Sequence, residues 1–168
     1  MRELGVIGWY WVLFLLVLAF LGGCQPPASS PVLGECVLYA GYLPERVDIM
    51  PLTGLVEGES GRQIDVYVSL LDSSGYQTRS PGIFRFEMYE RIPRSSQRKG
   101  ARVAIWPDID LTEPAANSAY WRDFLRGYEF KLDFEPAAGK SYVMEITFLS
   151  AVSGGGRLSA QFEIEQGG

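Results

Sequence analysis

From Arg46 onward, apolar and polar residues alternate with a period of two in one segment after another, and this constrains the fold more than any other feature of the sequence. Arg46-Val47-Asp48-Ile49-Met50 is a short run stopped by Pro51. From Gln63 to Leu71, Ile64, Val66, Val68 and Leu70 share one face, with Asp65, Tyr67 and Ser69 opposite. Ile83 to Tyr89 sets Phe84, Phe86 and Met88 against Arg85 and Glu87. A shorter run, Arg102 to Trp106, places Val103 and Ile105 together. Tyr128 to Phe134 alternates Tyr128, Phe130, Leu132 and Phe134 with Glu129, Lys131 and Asp133. Ser141 to Leu149 carries Tyr142, Met144, Ile146 and Phe148, and Arg157 to Glu165 carries Leu158, Ala160, Phe162 and Ile164. A strand with one apolar and one polar face buries the first and wets the second, as antiparallel sheets do.

Seven such strands predict an all-β fold, an immunoglobulin-like antiparallel β-sandwich. A partly open barrel is the competing architecture. Asp72-Ser73-Ser74-Gly75 marks a turn, and Ser153-Gly154-Gly155-Gly156 suits a hairpin between the last two strands. Gly139-Lys140-Ser141-Tyr142-Val143-Met144 resembles a tyrosine corner, with Met144 where antibody domains have cysteine. The stretch 107–127 lacks sustained alternation. Thr112-Glu113-Pro114-Ala115-Ala116-Asn117 reads as the start of one short helical crossover, with Thr112 as N-cap and proline in the first turn. Ala116, Tyr120, Trp121 and Phe124 would then share a face.

Composition removes several classes of function. The 168 residues hold no histidine, which excludes Ser-His-Asp and Cys-His catalysis and imidazole-dependent zinc sites. Fifteen basic residues against twenty acidic ones give a net charge of −5, which argues against nucleic acid as a partner. No phosphate-binding, dinucleotide, Gly-x-Ser-x-Gly or metalloprotease motif occurs, so no cofactor is expected.

The first segment addresses location. Residues 4 to 23 carry no charge over 20 positions, enough to span a bilayer as a helix. Arg2 precedes an apolar stretch from Trp9 to Phe20, and the small residues Gly22 and Gly23 precede Cys24. That is the three-part form of an export signal. Leu21-Gly22-Gly23-Cys24 resembles the lipobox of bacterial lipoprotein precursors. The resemblance implies that Cys24 takes a diacylglyceryl thioether and that residues 1–23 are removed. It also implies that Gln25, in place of aspartate, favours the outer membrane. Residues 24–34, with Pro26, Pro27 and Pro31, read as a flexible Pro/Ser linker, and 35–168 as the sandwich domain, in the periplasm or at the cell surface. Lipidation of Cys24 would leave Cys36 unpaired, either as a small buried hydrophobe or as a reactive thiol.

Three constellations are candidate sites. Arg91, Arg94, Arg98, Lys99 and Arg102 concentrate five of the fifteen basic residues in twelve positions. They suit either contact with lipid phosphates or an acidic polymer, or a solvated loop guarding a sheet edge. Arg94, Arg98 and Lys99 are the expected partner contacts. Trp106, Tyr120, Trp121 and Tyr128 form either an aromatic platform for sugar rings or core packing beneath the crossover. Trp121 is the contact expected from this group. Asp108 and Asp110 offer oxygen ligands for calcium or an acid/base pair, or else cap a turn. The predicted protein is a lipid-anchored interaction or structural module of the cell envelope, with no catalytic activity. Its partner would be an envelope protein or a polysaccharide, and a carbohydrate-binding module on the same anchor is the alternative.

Overall fold

The computed structural model describes residues 43–58 and 61–164. The chain divides into two units, Met1–Glu35 and Cys36–Gly168, and every described residue belongs to the second. The signal segment 1–23, Cys24, the linker 24–34 and Cys36 lie outside the described residues. Among the described residues no helix is long and apolar enough to cross a membrane.

Among the described residues, eleven strands and one short helix follow in order: β1 (Arg46–Ile49), β2 (Gly54–Gly58), β3 (Gly61–Leu71), β4 (Gln77–Thr78), β5 (Gly82–Arg91), β6 (Lys99–Ile105), β7 (Ile109–Asp110), α1 (Pro114–Tyr120), β8 (Trp121–Arg122), β9 (Gly127–Asp133), β10 (Tyr142–Ser150) and β11 (Arg157–Ile164). They form two antiparallel sheets. One has the order β1-β3-β9-β8, with β2 and β4 also paired to β3. The other has the order β11-β10-β5-β6, with β7 also paired to β5. With the short pieces β2, β4 and β7 set aside, this is the A-B-E-D and G-F-C-C′ order of an immunoglobulin-like sandwich.

The alternating residues meet between the sheets. Ile64, Val66, Val68 and Leu70 of β3 are fully buried, as are Phe84, Phe86 and Met88 of β5 and Met144, Ile146 and Phe148 of β10. The Phe130 ring of β9 lies 5.0 Å from Phe84 and 4.8 Å from Phe86, both tilted, which ties one sheet to the other. Burial of each such ring contributes about 2–3 kcal/mol, and the tilted geometry suits the ring quadrupoles. At the start of β10 the Tyr142 hydroxyl accepts a hydrogen bond from the Ala137 N–H at 2.9 Å, so the tyrosine corner is formed.

One outer edge of each sheet is interrupted. β1 and β2 lie along the same edge of β3, joined through a turn at Pro51 and Leu52. In the gap, the Thr53 hydroxyl accepts from the Tyr67 N–H at 3.0 Å, and the Met50 N–H donates to the Tyr67 carbonyl. β6 and β7 likewise share one edge of β5, separated by Trp106-Pro107-Asp108. Proline has no N–H and cannot continue a ladder, which accounts for both interruptions.

Two expectations are corrected. The β5–β6 ladder shifts register twice, around Tyr89, and Ile105 pairs opposite the outward-facing Glu87. Val103 and Ile105 are therefore exposed, and the smaller Ala104 packs on the core. A slip of one residue exchanges the faces of a strand. In the crossover, Glu113 and not Thr112 is the N-cap, with no side-chain capping bond. The Thr112 hydroxyl and N–H both donate to the Asp110 carboxylate, at 2.7 and 2.9 Å, which holds Thr112 away from the helix. The helix ends at Tyr120, so Trp121 belongs to β8 and Phe124 stands 83% exposed in the β8–β9 turn.

Candidate functional site

The basic run lies on the solvent face of the β11-β10-β5-β6 sheet, and the register explains why. Glu145 of β10 stands directly opposite Glu87 of β5. Two carboxylates at cross-strand spacing repel each other unless cations lie beside them. Lys99 bonds Glu145 at 2.5 Å, and Arg102 bonds Glu87 at 2.6 Å. Glu163 of β11 accepts from Arg98 at 2.6 Å and forms an ion pair with Arg91 at 2.9 Å, and Lys140 pairs with Glu90. The loop is thus drawn across the sheet by acids arriving from three other strands. The hydrogen bond to Glu145, together with its charge, raises the Lys99 pKa, so the ammonium stays protonated.

Arg94 is different. It sits at the tip of the β5–β6 loop with φ of 60°, in the left-handed region that non-glycine residues rarely occupy. It is exposed and forms no ion pair among the described residues. Five basic residues, Arg91, Arg94, Arg98, Lys99 and Arg102, face three carboxylates, Glu87, Glu145 and Glu163. This leaves two positive charges locally on a chain of net charge −5.

Beside this loop a groove of about 660 Å³ is lined by Tyr89, Ser96, Gln97, Arg98, Lys99 and Gln161. The Lys99 Nζ lies 4.7 Å from the centre of the Tyr89 ring, a cation–π contact that fixes the ring on the sheet. Burial first, then the Glu87 and Glu145 carboxylates, push the Tyr89 phenol above its ordinary pKa. It therefore remains a neutral donor.

The structure brings Arg98 and Lys99 together with Tyr89, Gln97 and Gln161, which the motif search did not single out. The available signal was Tyr89 itself, an aromatic residue on the polar side of an alternating strand beside Arg85 and Glu87.

Trp121 does not line this groove. Its ring meets Tyr128 edge-on at 5.1 Å, its indole N–H donates to Asp123, and the Arg79 guanidinium lies 5.9 Å from its centre. Tyr128 is fully buried, Tyr120 packs on Phe130, and the Trp106 indole N–H donates to the Asp133 carbonyl at 3.0 Å. These four rings serve the sandwich interior and its rim and do not form an exposed platform.

Asp108 and Asp110 are engaged separately. Arg85 donates to both oxygens of Asp108, at 2.9 and 2.7 Å, while Asp110 caps the turn into Thr112. Those bonds hold both carboxyls below the usual aspartate range. Among the described residues, no cluster of three or more side chains suited to a metal ion occurs.

One further polar cluster fixes the crossover. The Asn117 amide donates to the Ser80 and Leu111 carbonyls, each at 3.0 Å. Its oxygen accepts from Arg79 Nε at 2.6 Å and from the Tyr128 hydroxyl at 3.3 Å. All four hydrogen-bonding positions of a buried asparagine are filled, which gives the cluster a structural role. Comparison of the chain with protein-family models, with curated proteins and with solved structures returned no match.

Proposed function

We propose that this chain is a lipid-anchored envelope protein whose sandwich is a non-catalytic interaction module. In this reading Cys24 carries the lipid, residues 24–34 space the domain from an outer membrane, and the solvent face of the β11-β10-β5-β6 sheet meets the partner.

The observation that carries the recognition surface is the excess of positive charge around an open groove, on an acidic chain, with the loop pinned to a rigid sheet. Pinned loops on a scaffold hold their contact groups in place before a partner arrives. The lipobox-like Leu21-Gly22-Gly23-Cys24 supports the anchor, since two or more acyl chains at about 0.8 kcal/mol per buried CH₂ hold a protein stably at a bilayer. The lack of histidine supports a non-catalytic role, because acid/base chemistry near neutral pH relies on it most often.

Mass spectrometry of the N-terminal peptide of membrane-bound protein tests the anchor. The expected result is a peptide that begins at a lipid-modified Cys24. An intact Met1, or an unmodified Cys24, rejects it. Turnover of an envelope polymer by the pure protein, abolished by Asp108→Asn or Asp110→Asn, rejects the non-catalytic reading.

A further inference from the structure

We propose that the groove between the β5–β6 loop and β11 binds an acidic polysaccharide, with Tyr89, Gln97 and Gln161 holding a sugar unit and Arg98 holding its carboxylate or phosphate substituent. The proposal deepens the envelope reading, which supplies only the place where such a polymer would be met.

The size and lining of the groove support a sugar. About 660 Å³ lies within the range of small-molecule sites. A primary amide presents donors and acceptors together, as a sugar hydroxyl does, and Gln97 and Gln161 place two such amides in one groove. Ser96 adds a hydroxyl and Tyr89 a neutral phenol. Tyr89 is also the single aromatic surface in the lining, and Lys99 fixes its ring before any ligand arrives.

The lining disfavours a membrane as the partner. It includes no Leu, Ile, Val, Phe or Trp, so it lacks the apolar side chains that insert into a bilayer.

The charge supports an acid group on the sugar. Arg98 is 66% exposed at its side chain and contacts Glu163 through Nη1. A guanidinium carries five N–H donors in a fixed fork, and the remaining ones suit a carboxylate or phosphate. Arg94, unpaired at the loop tip, adds to the local positive field.

Affinity gel electrophoresis of the full chain in detergent tests this. Polygalacturonate and phosphorylated mannan represent the two sources of the acid group. Neutral dextran and polyglutamate serve as controls for sugar and for charge. The expected result is retardation by polygalacturonate or by phosphorylated mannan, whichever carries the fitting acid, and little by either control. Tyr89→Leu and the Gln97→Ala/Gln161→Ala pair should each weaken binding roughly tenfold. Gln97 and Gln161 are exposed, so the paired variant should keep the wild-type circular dichroism spectrum. Arg98→Ala should remove the preference for acidic over neutral polysaccharide.

Equal retardation by polyglutamate would show a charged patch only and overturn the proposal. So would unchanged binding by the folded Gln97→Ala/Gln161→Ala variant, or no retardation by either acidic polysaccharide. A lipidated Cys24 with no polysaccharide binding rejects the groove alone. An unmodified Cys24 with intact binding rejects the anchor alone.

Discussion

Asn117 shows how much one side chain fixes. It has no freedom left, since each of its four hydrogen-bonding positions is used and its residue is 5% exposed. Asn117→Ala leaves the Leu111 carbonyl and Arg79 Nε without this partner and should cost about 2–4 kcal/mol in urea unfolding. Asn117→Asp keeps the shape but loses both donors, so it should rescue little. Trp121→Ala removes a ring packed against Tyr128 and should cost about 3 kcal/mol, with destabilisation as its main effect. The two aspartates predict an acid limb. Arg85 and Thr112 favour ionised Asp108 and Asp110 in the folded chain, so both carboxyls hold protons less readily there than in the unfolded chain. The stability they contribute is present above 3.8, their unshifted value, and is lost as pH falls through the lower folded values. A pH titration by NMR should find both midpoints below 3.8, and Arg85→Ala should return only Asp108 towards it. Asn117 could not be singled out from sequence, because its four partners come from segments up to 38 residues away.

At the scale of elements, the legible parts are those whose pattern is local. All seven alternating segments are strands, because a period of two is written in consecutive residues. The hairpin at Gly154, with φ of 86°, follows from glycine's freedom there. β6 was misread for the opposite reason. Its face is set by a bulged ladder with β5, and nothing inside Arg102–Trp106 announces the bulge. β4, β7 and β8 escaped detection because two residues show no alternation, and β2, Gly54-Leu55-Val56-Glu57-Gly58, because its apolar residues are adjacent and do not alternate. The groove was half legible. The basic run is visible in sequence, whereas Tyr89 and Gln161 join it only through the register of other strands. The charged loop should be separable from the fold. Arg94→Ala/Arg98→Ala/Lys99→Ala removes half-exposed or exposed charges and should shift the thermal midpoint by less than about 5 °C. By contrast, a Cβ at Gly82 would lie 2.5 Å from the Leu149 carbonyl oxygen, so Gly82→Ala should cost about 1–3 kcal/mol. Differential scanning calorimetry of both variants checks the contrast.

For the molecule as a whole, a chain that starts at Gln25 should fold and show a β-type circular dichroism spectrum, since the described core draws only on residues from Val47 to Ile164. An unfolded product would show that the sandwich depends on the first 24 residues. The interruptions at Pro51 and Pro107 bear on how such molecules behave in numbers. An intact outer strand offers a continuous row of free amides and carbonyls on which a neighbour can add its own strand. Copies confined to one surface meet far more often than copies in dilution, so even a weak tendency to zip together would grow into fibres. Here one outer edge of each sheet is split into two short pieces, and the longest of these, β6, is bulged and bears Lys99 and Arg102, while the opposite edge of the second sheet, β11, runs unbroken over eight residues. A zipper started on one piece runs out within a few residues. The two prolines thus guard these two edges against strand addition. Pro107→Val, which permits a continuous β6–β7 edge, should raise light scattering at high concentration while leaving dilute samples unchanged.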